Sequence, residues 1–131
     1  MKLLNNFFYI TSQERLPEEN VVYNIRINPN HTIYKSHFPE QPITPGVCLL
    51  QMVSETLEYH IGRTFNLLSV KNIKFLNVLT PLEHIADISI QFCKIQEIDG
   101  IYHVQALINV PDSIIAKFSL IYEPLRSHPH I

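Results

Sequence analysis

Residues 46–61 read GVCLLQMVSETLEYHI, a proline-free run that is apolar nearly all round in its first half and more polar in its second. A helix with apolar residues on every side is one enclosed by other elements. This run is therefore predicted to be a buried helix, with Gly62 placed to stop it. Most of the remaining chain has the signature of strands. Residues 7–11 are expected to open the fold as a strand, and residues 20–27 (NVVYNIRI) alternate polar and apolar after Val21, as a half-buried strand does. Residues 67–79, 84–95, 101–110 and 113–123 carry β-branched and aromatic side chains, separated by turn signals at Thr80-Pro81, Asp99-Gly100 and Pro111-Asp112. Asp-Gly between two such runs is a strong hairpin signal. The close spacing predicts antiparallel neighbours in a meander. Residues 28–45, rich in proline and turn formers, are expected to be mostly irregular, and a loop of that length is often functional. The economical packing is an α+β fold: an antiparallel sheet wrapped around one long buried helix.

Composition narrows the class. The chain has 131 residues, enough for a single domain over residues 1–131 with a real core. Hydrophobic residues make up 46% and charged residues 17%, a globular balance rather than a disordered one. Lys and Arg are scattered and the formal net charge is −2, which argues against nucleic-acid binding. A small basic patch for an acidic protein partner is still compatible with this, because a few residues converging in space suffice. No apolar run is long enough to span a bilayer, and the N-terminal MKLLNNFFYI lacks a cleavable-signal pattern. The cytoplasm is the expected compartment. Cys48 and Cys93 lie in apolar runs and read as buried reduced thiols. Phe7, Phe8 and Tyr9 are expected in the core or at a subunit contact. The His31/His37 and His128/His130 pairs lack the partner ligands a metal site needs, so no metal is expected. The tail from Arg126 onwards reads as exposed and loosely held.

The chemistry concentrates in residues 37–55, HFPEQPITPGVCLLQMVSE. This segment resembles the signature of FabZ-type 3-hydroxyacyl-[acyl-carrier-protein] dehydratases. That signature runs His-Phe-Pro-Gly-His-Pro, a variable pair, Pro-Gly-Val, and then a helix with a catalytic acid at the head of Glu-Ala-Met-Ala-Gln. His37, Phe38, Pro39, Pro42, Pro45, Gly46 and Val47 match at the family spacing. Residues 70–81 and 116–121 are similar, more weakly, to later strands of the family. The resemblance implies the hotdog fold, no cofactor, and a substrate carried on acyl carrier protein. It also implies a site built across a homodimer or higher oligomer, or across a heterodimer with another dehydratase.

Dehydration of a 3-hydroxyacyl thioester needs a base for the α-proton, stabilisation of the enolate-like oxygen and an acid for the departing hydroxyl. By resemblance, His37 is the base, and an imidazole can accept a proton at neutral pH. Gly46 and Val47 open the helix, where unpaired amides and the positive dipole end suit a developing oxyanion, with Pro45 and Phe38 completing the substrate-binding loop. Gln51 stands where the family has its acid, and glutamine cannot give up a proton. Glu55 follows four residues later, on the same helix face. Carboxylate and amide are thus exchanged relative to the family order, and Glu55 is a candidate for the acid directly or through one water. Otherwise it is a helix carboxylate near solvent or paired with Arg63. Glu40 and Gln41 also depart from the family pattern. The expected activity is dehydration to the trans-2-enoyl thioester. The alternatives are a non-catalytic hotdog subunit that binds acyl carrier protein or pairs with an active dehydratase, and an acyl thioesterase.

Overall fold

A computed structural model describes residues 2–36 and 40–126. Nine prolines and turn residues punctuate six strands and two α-helices in the order β1 (Phe8–Arg15), β2 (Val21–Ile27), α1 (Thr32–Ser36), α2 (Gly46–Ile61), β3 (Phe65–Phe75), β4 (Ile88–Ile98), β5 (Ile101–Val110) and β6 (Ser113–Pro124). The strands form one antiparallel sheet in the order β1-β2-β4-β5-β6-β3. This is the hotdog arrangement: the sheet's inner face lies against one side of α2.

The periodicity explains what is buried. Val21, Tyr23, Ile25 and Ile27 of β2 and Val104, Ala106, Ile108 and Val110 of β5 alternate with more exposed neighbours, and all point inward. They join Leu49, Met52, Val53 and Leu57 of α2 in one core cluster. The helix ends as expected. Gly62 adopts φ 80° and returns its N–H to the Glu58 carbonyl at 2.8 Å. The Asp99-Gly100 hairpin also forms, both residues taking positive φ (52° and 81°) between β4 and β5, as a two-residue primed turn requires.

Several expectations are corrected. The strands after the helix are not a simple meander: β3 crosses to the far edge and pairs with β6, while β4 takes the place beside β2. The strand predicted over 84–95 begins only at Ile88, because the Thr80 carbonyl accepts the amides of both Glu83 and His84 and prolongs the turn. The strand predicted over 67–79 ends at Phe75, and the opening strand extends to Arg15. The irregular stretch 28–45 contains the short helix α1. Phe7 and Phe8 are fully buried, whereas Tyr9 is 36% exposed. Cys48 is buried as expected, but Cys93 is only half-buried, displaced to a bulge between Phe92 and Lys94. Residues 127–131, with His128 and His130, lie outside the described residues.

Candidate functional site

The segment 37–47 runs from the end of α1 to the start of α2. Described residues on either side of 37–39 are tied together. The Tyr34 hydroxyl lies 2.7 Å from the Thr44 hydroxyl, and the Thr44 amide donates to the Leu79 carbonyl at 2.8 Å. Tyr34, on α1, is buried against Phe7, with the two ring centroids 5.3 Å apart. Burial pushes its phenol up to about 12, against the lowering effect of the Thr44 hydrogen bond. A buried polar contact therefore joins described residues on either side of 37–39. His37 and Phe38, the expected base and its neighbour, lie between those anchors but outside the described residues. Nothing in local sequence pattern singled out Tyr34 or Thr44, since the pairing exists only once the loop folds back. His31 is occupied structurally: its Nδ1 accepts the Ile33 amide at 3.0 Å and its ring meets Phe7 edge-on.

Pro45 caps α2 in extended backbone, and its carbonyl accepts the amides of Cys48 and Leu49 at 3.0 and 3.2 Å. Among the described residues no acceptor engages the amides of Gly46 and Val47. Val47 is 65% exposed, so this end of the helix opens outward. Gly46 lies beneath the ring of Phe75, and a Cβ added there would fall 2.9 Å from the ring Cζ. Glycine at 46 thus reflects a close approach. Phe75 was missed as part of the site, and only the contact reveals it. Cys48 points into the core, and burial raises its thiol pKa, the opposite of what a nucleophile needs.

One turn further along, the Gln51 side-chain amide donates to Glu55 Oε2 at 2.8 Å. Glu55 is 4% exposed. Its carboxylate also accepts the Leu3 amide at both oxygens (3.0 and 2.8 Å) and the Leu4 amide at 2.7 Å. The expectation of a carboxylate near solvent or paired with Arg63 is thereby corrected: the N-terminal turn folds across the helix and covers it. A carboxylate accepts through both oxygens without a proton of its own, and hydrogen bonds to charged groups are the stronger kind. With Nε2 committed to Glu55, the end of the Gln51 amide turned away from that carboxylate is Oε1, an acceptor. A depression of about 300 Å³ beside the second half of α2 touches Glu55, Glu58 and Tyr59. Pro45, Gly46, Val47, Gln51 and Glu55 are thus brought together along the first three turns of one helix.

Comparison with known proteins identifies the family. Residues 12–106 match the family model for ApeI-like proteins, described as ApeI dehydratase. A 3-hydroxyacyl-[acyl-carrier-protein] dehydratase FabZ from Lactiplantibacillus plantarum is 24% identical over 119 residues, covering 82% of this chain and 80% of its own length. Among solved structures, a chain of the dehydratase heterocomplex ApeI:P from Xenorhabdus doucetiae superposes with a TM-score of 0.69 at 16% identity, over 86% of this chain and 95% of that one. YhdA of Lactococcus lactis, a candidate thioesterase, superposes with a TM-score of 0.64 at 12% identity, over 91% and 94% of the two chains. The structural likenesses are likenesses of fold.

Proposed function

The chain belongs to the ApeI-like dehydratase family, and from that premise we propose that it removes water from a 3-hydroxyacyl thioester borne on acyl carrier protein, leaving the trans-2-enoyl thioester. The observation that carries this reading is the opening of α2, where the Gly46 and Val47 amides meet no acceptor among the described residues and Gln51 stands one turn inward, bonded to Glu55. In the reading, the thioester carbonyl docks at those two amides, which stabilise the negative charge that develops on its oxygen. His37 takes the α-proton. The bond between the β-carbon and the hydroxyl breaks as the double bond forms, and the hydroxyl leaves as water once protonated. Gln51 stands beside that hydroxyl, in the place of the family's acid, but has no proton to give. The proton comes from the imidazolium formed at His37, which returns the base to its starting state. Because the Glu55 oxygens already accept from Leu3, Leu4 and Gln51, its main part in this reading is to hold Gln51 in place.

The reading includes a partner subunit. β3 is an edge strand, and Leu67, Leu68, Val70 and Phe75 on it are exposed. An exposed apolar edge strand invites pairing with another chain. A second copy, or a related dehydratase subunit, is expected along it. Val70→Lys should shift the protein towards monomer in light scattering, and an unchanged mass would place the contact elsewhere.

The activity is tested by incubating the protein with 3-hydroxyacyl and saturated acyl thioesters on carrier protein, following enoyl formation and free thiol. Enoyl product supports dehydration, and thiol release supports a thioesterase. A second reading, a non-catalytic subunit, is favoured by Gln51 and by the likeness to a chain of a dehydratase heterocomplex. It predicts silence in both assays and a stable complex with a second, active dehydratase.

A further inference from the structure

The outer face of the sheet gathers charge that looked scattered in sequence. Strand register defines three adjacent rows on that face across β4, β5, β6 and β3. Lys94 stands opposite Gln105, Gln105 opposite Ser119, and Ser119 opposite Asn72. In the next row Gln91 pairs with Leu107, Leu107 with Lys117, and Lys117 directly with Lys74. On the other side Gln96 pairs with His103, His103 with Ile121, and Ile121 with Ser69. Lys71 falls in the β3 bulge between Val70 and Asn72, beside a depression of about 290 Å³ that also touches Lys94 and His103. A second depression, about 210 Å³, has Lys74 and Lys117 at its rim. Four of the chain's six lysines therefore meet on one face, in a protein of net charge −2. No carboxylate occurs in the three rows, and Glu123, opposite Asn66, comes only beyond them.

Like charges directly opposed across two strands destabilise a sheet, yet Lys74 and Lys117 are so placed. A polyanionic partner would relieve that repulsion. We propose that this face docks an acidic protein, the carrier of the acyl substrate; the proposal rests on the dehydratase reading above. Charge complementarity selects the partner's chemistry. The cations are lysines around a neutral polar centre, suited as point charges to carboxylates. Apart from the imidazole of His103, no aromatic side chain stands in the rows for nucleic-acid bases to stack on. Position fits as well. Lys74 is followed by Phe75, the last residue of β3, whose ring covers Gly46. A carrier seated on the Lys74–Lys117 row is thus at the strand end round which a flexible prosthetic arm reaches the start of α2.

The test uses the full chain with purified holo acyl carrier protein, and compares wild type with Lys74→Glu/Lys117→Glu. Arg63→Glu, an exposed reversal at the other end of α2, is the control. The double reversal should weaken carrier binding about tenfold or more at moderate salt, as loss of complementary rim charges does, and should lower turnover of the carrier-borne substrate. Turnover of the same acyl group on free pantetheine, and the melting temperature, should not change. The milder Lys74→Gln/Lys117→Gln should give a smaller loss in the same direction. Unchanged carrier affinity in the double reversal, or an equal loss in Arg63→Glu, overturns the proposal. So does tighter binding of wild type to anionic phosphatidylglycerol vesicles or single-stranded DNA than to the carrier. If the protein dehydrates neither substrate, the dehydratase reading fails while the affinity comparison still decides this face. If wild type and the double reversal process both substrates alike, this face is excluded and the dehydratase reading stands.

Discussion

Gln51 and Glu55, one helical turn apart, are joined by a 2.8 Å hydrogen bond in which the amide donates to the carboxylate. This bond ties Gln51 to Glu55, and it makes Gln51 the place to restore an acid. Gln51→Glu would put a second carboxyl beside Glu55, and two carboxyls sharing a site do not both ionise readily, so the pair keeps a proton towards neutral pH. The dehydration rate should rise by about 10²-fold, the lower bound for positioned acid catalysis. Enoyl formation measured spectroscopically checks it, and a flat response in a variant that still melts normally would remove the missing-acid explanation.

Glu55→Gln tests the anchoring role. The amide has one accepting oxygen, and its NH₂ would face the Leu3 or Leu4 amide, donor against donor. A buried donor left unsatisfied costs about 1–3 kcal/mol, so the melting temperature should fall by roughly 3–10 °C. Hydrogen exchange at Leu3 and Leu4 should accelerate with it. Loss of turnover with no change in melting or exchange would instead assign the carboxylate to the chemistry itself.

Gly46→Ala would place a methyl group 2.9 Å from the Phe75 ring. Phe75 is 55% exposed and its ring can swing aside, so stability should change by less than about 1 kcal/mol. The methyl and the displaced ring would obstruct the approach to the helix amides. Activity should fall about 10²-fold, comparable to losing one oxyanion donor. Recovery in the Gly46→Ala/Phe75→Ala double variant would confirm crowding, and full activity in the single variant would move the thioester away from this helix end.

The His60 Nδ1 lies 2.6 Å from the Tyr23 hydroxyl, and the ring stacks on Phe92. Burial first, and Arg15 second, lower its pKa from the ordinary 6.5. Below 6.5 the unfolded chain takes up a proton that the folded chain refuses, so stability falls as pH drops until the folded pKa is passed. Denaturant midpoints between pH 7 and 5 should show this decline, and His60→Phe should flatten it. An equal decline in that variant would assign the effect to other groups.

What the sequence could reveal was whatever a few neighbouring residues decide. The helix over 46–61 was legible from its all-round apolar start and Gly62. The β4–β5 hairpin was legible from Asp99-Gly100, two residues able to take positive φ. The candidate site was legible because its residues lie within one contiguous run, 37–55, which local spacing preserves. Chain-distant pairings were not. That β3 crosses to β6 rather than β4 depends on which open edge remains once β2 and β4 have paired. Glu55 became an anchor only because the Leu3 and Leu4 amides, more than fifty residues away, needed an acceptor beneath the folded N-terminal turn. Lys71, Lys74, Lys94 and Lys117 became one surface only when strand register aligned them. Periodicity chooses the element and the face that is buried. Closure of the sheet determines which distant donors, acceptors and charges then meet.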